Sequence, residues 1–233
     1  MSILITGGGT RVPIDDVRYI GNHATGSFPC KIVRAYLKQN YSVTYIGSKH
    51  GEKPFELRID TRLHPDDIFD LAIKHNDGIS TRQYYQHLYS TYDEYKGLVY
   101  QACQKHWDTI FLGAAVSDYI CDKVDGKISS QSNLEIKLKP AQKIISTIRN
   151  KQPGAKLIGF KLLYDVGEKT LIEAAEKSIE QNSCDGIVAN DYWKIQQGRP
   201  EILFVTKKGV TKINTSDHMA EDLVCLVNKM PSP

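Results

Sequence analysis

Apolar residues follow two different periods along this chain. Short apolar runs of strand length alternate with longer segments in which apolar residues recur every three or four positions. The first pattern predicts buried β-strands, and the second predicts amphipathic α-helices. Strands are predicted at 2–6, 41–46, 109–114, 156–160 and 186–189, and helices at 26–40, 92–105, 142–149, 166–181 and 217–228. This alternation predicts an α/β fold with a doubly wound, mostly parallel sheet that is covered by helices on both faces.

Two segments depart from this alternation. Residues 7–25 have the polar, glycine-rich sequence of a long loop that separates the first strand from the first helix. Near the end of the chain, the runs 201–206 and 209–213 are separated by Lys207 and Lys208 and predict a C-terminal β-hairpin before the last helix. The sequence contains no internal repeat and no Gly/Ser-rich linker, so we expect one domain that spans residues 1–233.

The composition excludes several classes of protein. Lys and Arg (30) nearly balance Asp and Glu (27), with a net charge of +3 and no basic block, so no nucleic-acid partner is expected. The five cysteines have no C-x-x-C spacing, which argues against a disulfide framework and a zinc site and favours a reducing compartment. No apolar run approaches the roughly eighteen residues of a membrane span, and the opening MSILITGGG does not have the features of a signal peptide. We therefore expect a cytoplasmic protein with no membrane partner.

The glycine-rich start of the long loop indicates a ligand site. Gly7, Gly8 and Gly9 follow the first strand and a helix follows the loop, which is the geometry in which backbone amides bind a phosphate or a nucleotide. The string is not G-x-G-x-x-G, and a tight turn with positive φ explains these glycines equally well. A loop of about nineteen residues in a compact domain is nevertheless typical of a functional or disordered segment.

The amino-acid sequence of this loop is distinctive. Residues 5–26 read ITGGGTRVPIDDVRYIGNHATG, and further strings follow in order: AAVSDY at 114–119, GKIS at 126–129, LIGFKL at 157–162 and DGIVAND at 185–191. Together they resemble the signature of the phosphopantothenoylcysteine synthetases, which are the phosphopantothenate–cysteine ligases of coenzyme A biosynthesis. The resemblance covers nearly the whole chain and is weakest between about residues 49 and 106.

The resemblance implies a fold, an activity and a set of partners. It implies a Rossmann-like domain that forms a homodimer. In many bacteria a decarboxylase domain precedes this ligase, and because nothing precedes the first strand here, we expect the stand-alone ligase. Such a ligase joins 4′-phosphopantothenate to L-cysteine through an acyl-nucleotide intermediate. We expect CTP, in preference to ATP, as the nucleoside triphosphate, so that the intermediate is an acyl-cytidylate. Mg²⁺, held by the triphosphate, is the expected additional cation.

The resemblance also implies site residues. Asn22 and Lys127 match catalytic positions of the family. Asn22 would hold the acyl-nucleotide intermediate through its side-chain amide, which donates without acting as a nucleophile, and Lys127 would contact the triphosphate. The further nucleotide-binding positions are Leu112, Gly113, Ala114, Asp118, Gln142, Lys143, Ile144, Ile145, Phe160 and Lys177. The further substrate-binding positions are Gly8, Gly9, Arg18, Ala24, Gly26 and Asn190.

Several of these residues also have a purely structural explanation. Asn22 can be a loop asparagine in the left-handed conformation, and Asn190 can belong to a turn-forming Asn-Asp pair. Arg18 can pair with Asp15 to hold the loop. Asp118 can cap the amino end of a helix.

Two departures from the family pattern leave other functions open. Ser129 and Ser130 stand where many bacterial members carry lysines, so Lys161 becomes a further candidate for contact with phosphate. The string KPAQKII at 139–145 also differs from the corresponding segment of the family. A catalytically inactive nucleotide-binding relative is therefore one alternative. An NAD(P)-dependent Rossmann oxidoreductase is the other, although the second strand ends near Gly47 without the acidic residue that would bind a ribose.

Overall fold

The computed structural model describes residues 1–55, 83–130 and 133–233. The strands are β1 Ser2–Gly7, β2 Arg11–Pro13, β3 Tyr19–Gly21, β4 Ser42–Ser48, β5 Tyr84–Tyr89, β6 Thr109–Leu112, β7 Tyr119–Ile120, β8 Lys139–Pro140, β9 Lys156–Leu163, β10 Gly186–Asp191, β11 Ile202–Thr206 and β12 Gly209–Ile213. The helices are α1 Ser27–Lys38, α2 Tyr92–Ala102, α3 Ile145–Lys151, α4 Glu168–Asn182, α5 Tyr192–Gln196 and α6 Met219–Lys229. No helix in the described ranges is long and apolar enough to cross a lipid bilayer.

Within these residues, eight strands form one sheet in the order β12-β11-β10-β9-β6-β1-β4-β5. The strands from β10 to β5 run parallel, and β11 and β12 form an antiparallel hairpin at one edge. The strand order reverses at β1: β4 and β5 lie on one side of β1, and the later strands of this sheet, from β6 to β12, lie on the other. This order is that of a Rossmann-like doubly wound sheet, which confirms the predicted fold class and the C-terminal hairpin.

Helices cover both faces of the sheet. On one face, α1 and α6 share a core with Ile3 and Ile5 of β1, and on the other face α2, α3 and α4 share a core with Leu4 of the same strand. Adjacent strand residues point to opposite faces, so a strand that is covered on both sides is apolar throughout. All three side chains are 0% exposed, and each contributes roughly 1.5–3 kcal/mol to stability through its burial.

The prediction of one continuous loop over residues 7–25 is wrong. β2 and β3 pair antiparallel inside this segment, with Arg11 opposite Gly21 and Pro13 opposite Tyr19. Three-residue strands are too short for an alternating pattern to be recognised in the sequence. The segment therefore contains a hairpin that fixes the position of the residues on either side of it.

The apolar pattern of the sequence also fails to predict β5 and α5, and it predicts the start of α3 too early. Four of the six residues of β5 are exposed, so this edge strand shows no apolar run. The helix expected at 142–149 begins only at Ile145, because Pro140 belongs to β8 and the Gln142 carbonyl accepts the hydroxyl of Tyr92 at 2.8 Å. The short helix α5 begins after Asp191, whose carboxylate accepts the Trp193 amide at 2.9 Å.

Candidate functional site

A cavity of about 920 Å³ opens beside β1 and β6, where the direction of chain progress reverses. In open α/β sheets, ligands bind in this position, outside the carboxyl ends of the strands. The walls come from the loop after β3, the start of α1, the segment after β6, the segment before α3, the end of β9, and the junction of β10 with α5. We call this cavity the crevice.

The loops that follow β1 and β6 are hydrogen-bonded to each other. The Ala115 amide donates to the Gly8 carbonyl at 2.8 Å, and the Thr10 amide donates to the Ala115 carbonyl at 3.2 Å. The Thr10 hydroxyl accepts the Ser117 amide at 2.9 Å and lies 3.0 Å from the Ser117 hydroxyl. The two loops therefore hold each other in place, and residues 115–117 of the loop after β6 line the crevice.

Gly8, which directly follows β1, packs against Gly26 at the start of α1. Both have left-handed backbones, with φ of 85° and 78°. A Cβ on Gly26 would lie 2.9 Å from the Gly8 nitrogen, and a Cβ on Gly8 would lie 2.5 Å from the Cβ of Ser48. Glycine is thus required for the close approach of two chain segments. Gly8, Gly9 and Gly26 do not line the crevice, so their substrate-binding role stays a prediction.

Asn22 follows β3 directly and lines the crevice. Its side-chain nitrogen donates to the carbonyls of Ala115 and Val116, at 3.4 and 3.3 Å. The φ angle of Asn22 is not positive, so the left-handed loop explanation is wrong. The β2–β3 hairpin therefore places an exposed amide at the end of β6, in contact with residues more than ninety positions away in the sequence.

Asp118 and Lys143 form an ion pair at the crevice wall. They meet because β7 pairs with β8 and because the Ala141 amide donates to the Asp118 carbonyl at 2.8 Å. Both side chains are largely exposed, at 65% and 67%, so the pair contributes little to stability and both groups are accessible to a ligand. A strand, not a helix, follows Asp118, so the explanation of this residue as a helix cap is wrong.

The opposite wall is built by β9 and β10. Phe160 packs edge-on against Phe28, with ring centroids 6.5 Å apart. Asn190 lies within β10, not in a turn, and its side-chain nitrogen donates to the Glu201 carbonyl at 3.2 Å. The crevice is lined by Phe160 and Asn190 and by the further predicted positions Ala24, Leu112, Gly113, Ala114, Gln142, Ile144 and Ile145.

Asp15 and Arg18 pair at the turn of the β2–β3 hairpin, outside the crevice. The Arg18 guanidinium donates to the Asp15 carboxylate at 2.6 Å and to the Ile128 carbonyl at 2.7 Å, while the Ile128 amide donates to Asp15 at 3.1 Å. The hydrogen bond from Arg18 outweighs the effect of burial and, with the backbone amides, holds the pKa of Asp15 well below its usual range. The pair holds both the hairpin turn and the segment around Ile128, as the structural explanation of Arg18 expects, and the substrate-binding role of Arg18 stays a prediction.

The predicted nucleotide-binding lysines lie in different places. Lys127 is exposed between the hairpin-bound residues Gly126 and Ile128, and Lys177 is exposed on α4. Neither residue lines the crevice, and their roles stay predictions. Lys143 and Lys161 are the lysines that line it within the described part of the chain.

Sequence analysis misses His50 and Tyr95, which both line the crevice. His50 follows β4, and its Nε2 lies 3.1 Å from the Ser90 hydroxyl. Partial burial, reinforced by nearby cations of which Arg11 is the largest contributor, lowers the pKa of His50 and so favours its neutral form. The only signal for His50 is its place after a parallel strand, and nothing in the sequence marks Tyr95.

The sequence matches the family described as "DNA/pantothenate metabolism flavoprotein C-terminal domain" over residues 1–61 and 90–230. It is 30% identical over 231 residues to "Coenzyme A biosynthesis bifunctional protein CoaBC" of Thermococcus kodakarensis, which is 98% of this chain and 51% of that protein. The chain thus spans about half the length of this curated relative.

A human protein and a solved bacterial structure are also similar. Human phosphopantothenate–cysteine ligase is 26% identical over 264 residues, which covers 98% of this chain and 83% of that protein. The crystal structure of the DNA/pantothenate metabolism flavoprotein from Streptococcus pneumoniae has 28% sequence identity and a TM-score of 0.79, with 98% of both chains covered. The matched residues include the segment from Gly7 to Gly26 and the loop after β6 that lines the crevice. The chain therefore belongs to the family of DNA/pantothenate metabolism flavoprotein C-terminal domains.

Proposed function

We propose that this protein is a phosphopantothenate–cysteine ligase, which forms the amide bond of phosphopantothenoylcysteine in coenzyme A biosynthesis. The observation that carries the proposal is that Asn22, Ala114, Asp118, Phe160 and Asn190, which are far apart in the sequence, line one crevice at the carboxyl ends of the strands. The human relative, of which 83% is covered, carries the name of this activity and supports the same reaction here.

The reaction requires an activated acid, because a carboxylate and an amine do not condense at a useful rate in water. In the first step, a carboxylate oxygen of phosphopantothenate attacks the α-phosphorus of the nucleotide, and pyrophosphate leaves. In the second step, the amino nitrogen of cysteine attacks the acyl carbon and loses a proton, and the nucleoside monophosphate leaves with the former carboxylate oxygen. The first step brings two anions together, so the site must position both and neutralise their charge.

The crevice offers groups for both tasks. The Asn22 amide can donate to an oxygen of the mixed anhydride and cannot itself intercept it, which a serine or a lysine could. Lys143 and Lys161 supply positive charge at the wall, and Lys127 would add charge from the segment that the hairpin holds. The crevice volume of about 920 Å³ lies at the upper end of the range for ligand sites, roughly 300–1,000 Å³, which suits two substrates.

We further propose CTP as the nucleotide, an acyl-cytidylate as the intermediate, and Mg²⁺ as a cation that the triphosphate carries. The described residues contain no group of three or more His, Cys, Asp or Glu side chains that could hold a metal ion. Mg²⁺ is usually bound by one or two carboxylates together with substrate phosphates, and Asp118 supplies a carboxylate at the crevice. Asp118 would therefore hold the ion jointly with the triphosphate.

The proposal includes three further properties: the resemblance implies the homodimer, and the sequence pattern and composition predict the other two. Residues 1–233 form a single ligase domain, the protein is a homodimer, and it works in the cytoplasm without a nucleic-acid or membrane partner. Light scattering of the purified protein over a concentration series tests the dimer, because a monomer at every concentration would contradict it.

The activity is tested with phosphopantothenate, L-cysteine, Mg²⁺ and either CTP or ATP. We expect one phosphopantothenoylcysteine, identified by mass spectrometry, for each pyrophosphate released, and faster turnover with CTP. Faster turnover with ATP would contradict only the choice of nucleotide. Nucleotide binding without product would favour an inactive relative, and binding of reduced NAD(P) alone would favour an oxidoreductase.

A further inference from the structure

Three tyrosines spaced three residues apart lie beside the crevice, and the third of them lines it. Tyr89 is the last residue of β5, and Tyr92 and Tyr95 lie in the first turns of α2. They are 0%, 4% and 1% exposed. We call Tyr89, Tyr92 and Tyr95 the tyrosine row. A spacing of three residues places Tyr92 and Tyr95 on the same face of the helix, and this face packs against the sheet beneath the crevice.

The hydroxyls of the tyrosine row bond to the end of β1 and to the wall of the crevice. Tyr89 donates to the Gly7 carbonyl at 2.9 Å, at the end of β1. Tyr92 donates to the Gln142 carbonyl at 2.8 Å, in the wall segment before α3. Tyr95 lies 3.2 Å from the hydroxyl of Thr6, and this hydroxyl accepts the Ala114 amide, also at 3.2 Å, in the loop after β6. One short stretch of chain is thus hydrogen-bonded to the end of β1 and to the wall segment before α3, and it is linked to the loop after β6 through the Thr6 hydroxyl.

Packing alone does not require these hydroxyls. Phenylalanine would fill almost the same volume, and a buried hydroxyl is unfavourable unless it is hydrogen-bonded. Burial raises the pKa of Tyr95 to about 12 and also raises that of Tyr89, so both hydroxyls keep their protons at physiological pH. The three groups therefore act as permanent polar contacts to the loops.

The element that carries the row is itself firmly anchored. Thr91 and Glu94 form a capping box at the start of α2, in which the Thr91 hydroxyl accepts the Glu94 amide at 3.2 Å. The Glu94 carboxylate in turn accepts the Ser90 amide at 2.6 Å. The start of α2 is thus fixed immediately beside Tyr92 and Tyr95, so these side chains provide a firm support for the loops.

We propose that Tyr92 and Tyr95 are positioning residues for the ligase reaction, which hold the Gln142 wall and the Ala114 loop at the separation that the nucleotide and the acyl substrate require. The inference rests on the proposed function. Tyr92 acts through Gln142, whose neighbour Lys143 pairs with Asp118 at the crevice. Tyr95 contacts the Thr6 hydroxyl, which accepts the Ala114 amide, and so positions the loop after β6. Neither hydroxyl needs to touch the reacting atoms.

The test compares Tyr92→Phe, Tyr95→Phe and the double variant with Tyr36→Phe as the control. Tyr36 is 0% exposed, lies in the core on the other face of the sheet, and donates a single hydrogen bond to Asn228 at 3.3 Å. Each single variant loses one hydrogen-bonded hydroxyl, so the single variants lose comparable amounts of stability, and the double variant loses more. We expect the nucleotide KM to rise roughly tenfold in Tyr92→Phe and kcat to fall by a similar factor in Tyr95→Phe, with both constants unchanged in Tyr36→Phe.

The outcomes separate the positioning role from a purely structural one. A lower Tm in all three single variants, with KM and kcat equal to those of Tyr36→Phe, would overturn the proposal. The Kd for nucleotide, measured by calorimetry, keeps the test independent of turnover. If the wild-type chain binds nucleotide but forms no product, the proposed function fails. In that case, a weaker Kd in Tyr92→Phe with an unchanged Kd in Tyr36→Phe still supports the positioning role. An unchanged Kd in Tyr92→Phe overturns it.

Discussion

The side-chain amide of Asn22 donates to the carbonyl of Ala115 at 3.4 Å, and so joins the segment after β3 to the loop that follows β6. The same carbonyl accepts the Thr10 amide at 3.2 Å, so it is held from two sides. The contact places Asn22 where the two halves of a doubly wound sheet diverge, which is where such sheets bind ligands. The chemistry proposed for the crevice depends on this placement.

We expect Asn22→Asp to keep its fold and its nucleotide binding but to stop amide formation. A carboxylate at this position repels the anionic acyl-nucleotide intermediate and cannot donate a hydrogen bond to it. We expect kcat to fall by about a hundredfold or more, as it does when a donor to a developing negative charge is removed. Product formation is measured by mass spectrometry and nucleotide binding by calorimetry. Asn182→Asp, on α4 outside the crevice, is the control, and normal product formation by Asn22→Asp would refute the role.

We expect Lys127→Gln to lose turnover without a change in Tm. Its side chain is exposed, so the substitution leaves the core intact. The substitution also removes a positive charge beside the triphosphate, which weakens charge neutralisation in the first step. Pyrophosphate release should fall by about a hundredfold. Lys208→Gln, in the turn between β11 and β12, removes the same charge far from the crevice and should be neutral. Unaltered turnover in Lys127→Gln would assign this lysine to the solvated surface.

We expect Asp15→Asn to loosen the segment that carries Lys127 and to change the pH dependence of stability. The pKa of Asp15 in the folded protein lies well below its ordinary value of 3.8, so its ionised form contributes stability that is fully present above that value and is lost as the pH falls through the folded pKa. The Tm difference between the wild type and Asp15→Asn should therefore be constant from about pH 7 to pH 5 and shrink below about pH 4.

Hydrogen exchange provides the second measurement on Asp15→Asn. The Ile128 amide, which donates to Asp15 at 3.1 Å, should exchange faster in the variant. Asp122→Asn is the control, because Asp122 is 85% exposed, pairs with Lys139 and lies on the same segment. Equal exchange at Ile128 in the wild type and in Asp15→Asn would show that the carboxylate does not hold the segment.

We expect Gly26→Ala to destabilise the protein by roughly 1–3 kcal/mol, because φ is 78° and the new Cβ would lie 2.9 Å from the Gly8 nitrogen. Gly97→Ala is the opposite case. Gly97 lies in α2 with no atom within 4 Å of the added Cβ, so alanine should stabilise the helix by roughly 0.5–1 kcal/mol. Denaturant unfolding measures both changes. A neutral Gly26→Ala would mean that the two segments can separate without loss of stability.

Apart from β5 and the shortest elements, the order of the strands and helices follows from the amino-acid sequence, as do the fold class and the family resemblance. These are properties of local pattern, since the apolar period of a segment decides whether it forms a strand or a helix, and a motif such as the segment from Gly7 to Gly26 is read along a continuous chain. The candidate residues at the ends of β1, β6, β9 and β10 could therefore be named before their positions in space were known.

Which of these residues meet depends on how the chain packs in three dimensions. Asn22 contacts Ala115 because of a hairpin whose strands are too short to predict, and Asp118 contacts Lys143 because β7 pairs with β8. The structure also places His50 and Tyr95 at the crevice and leaves Lys127 and Lys177 outside its walls. Contacts between distant residues depend on strand order, register and loop geometry, and these depend on the packing of the whole domain, not on any one segment.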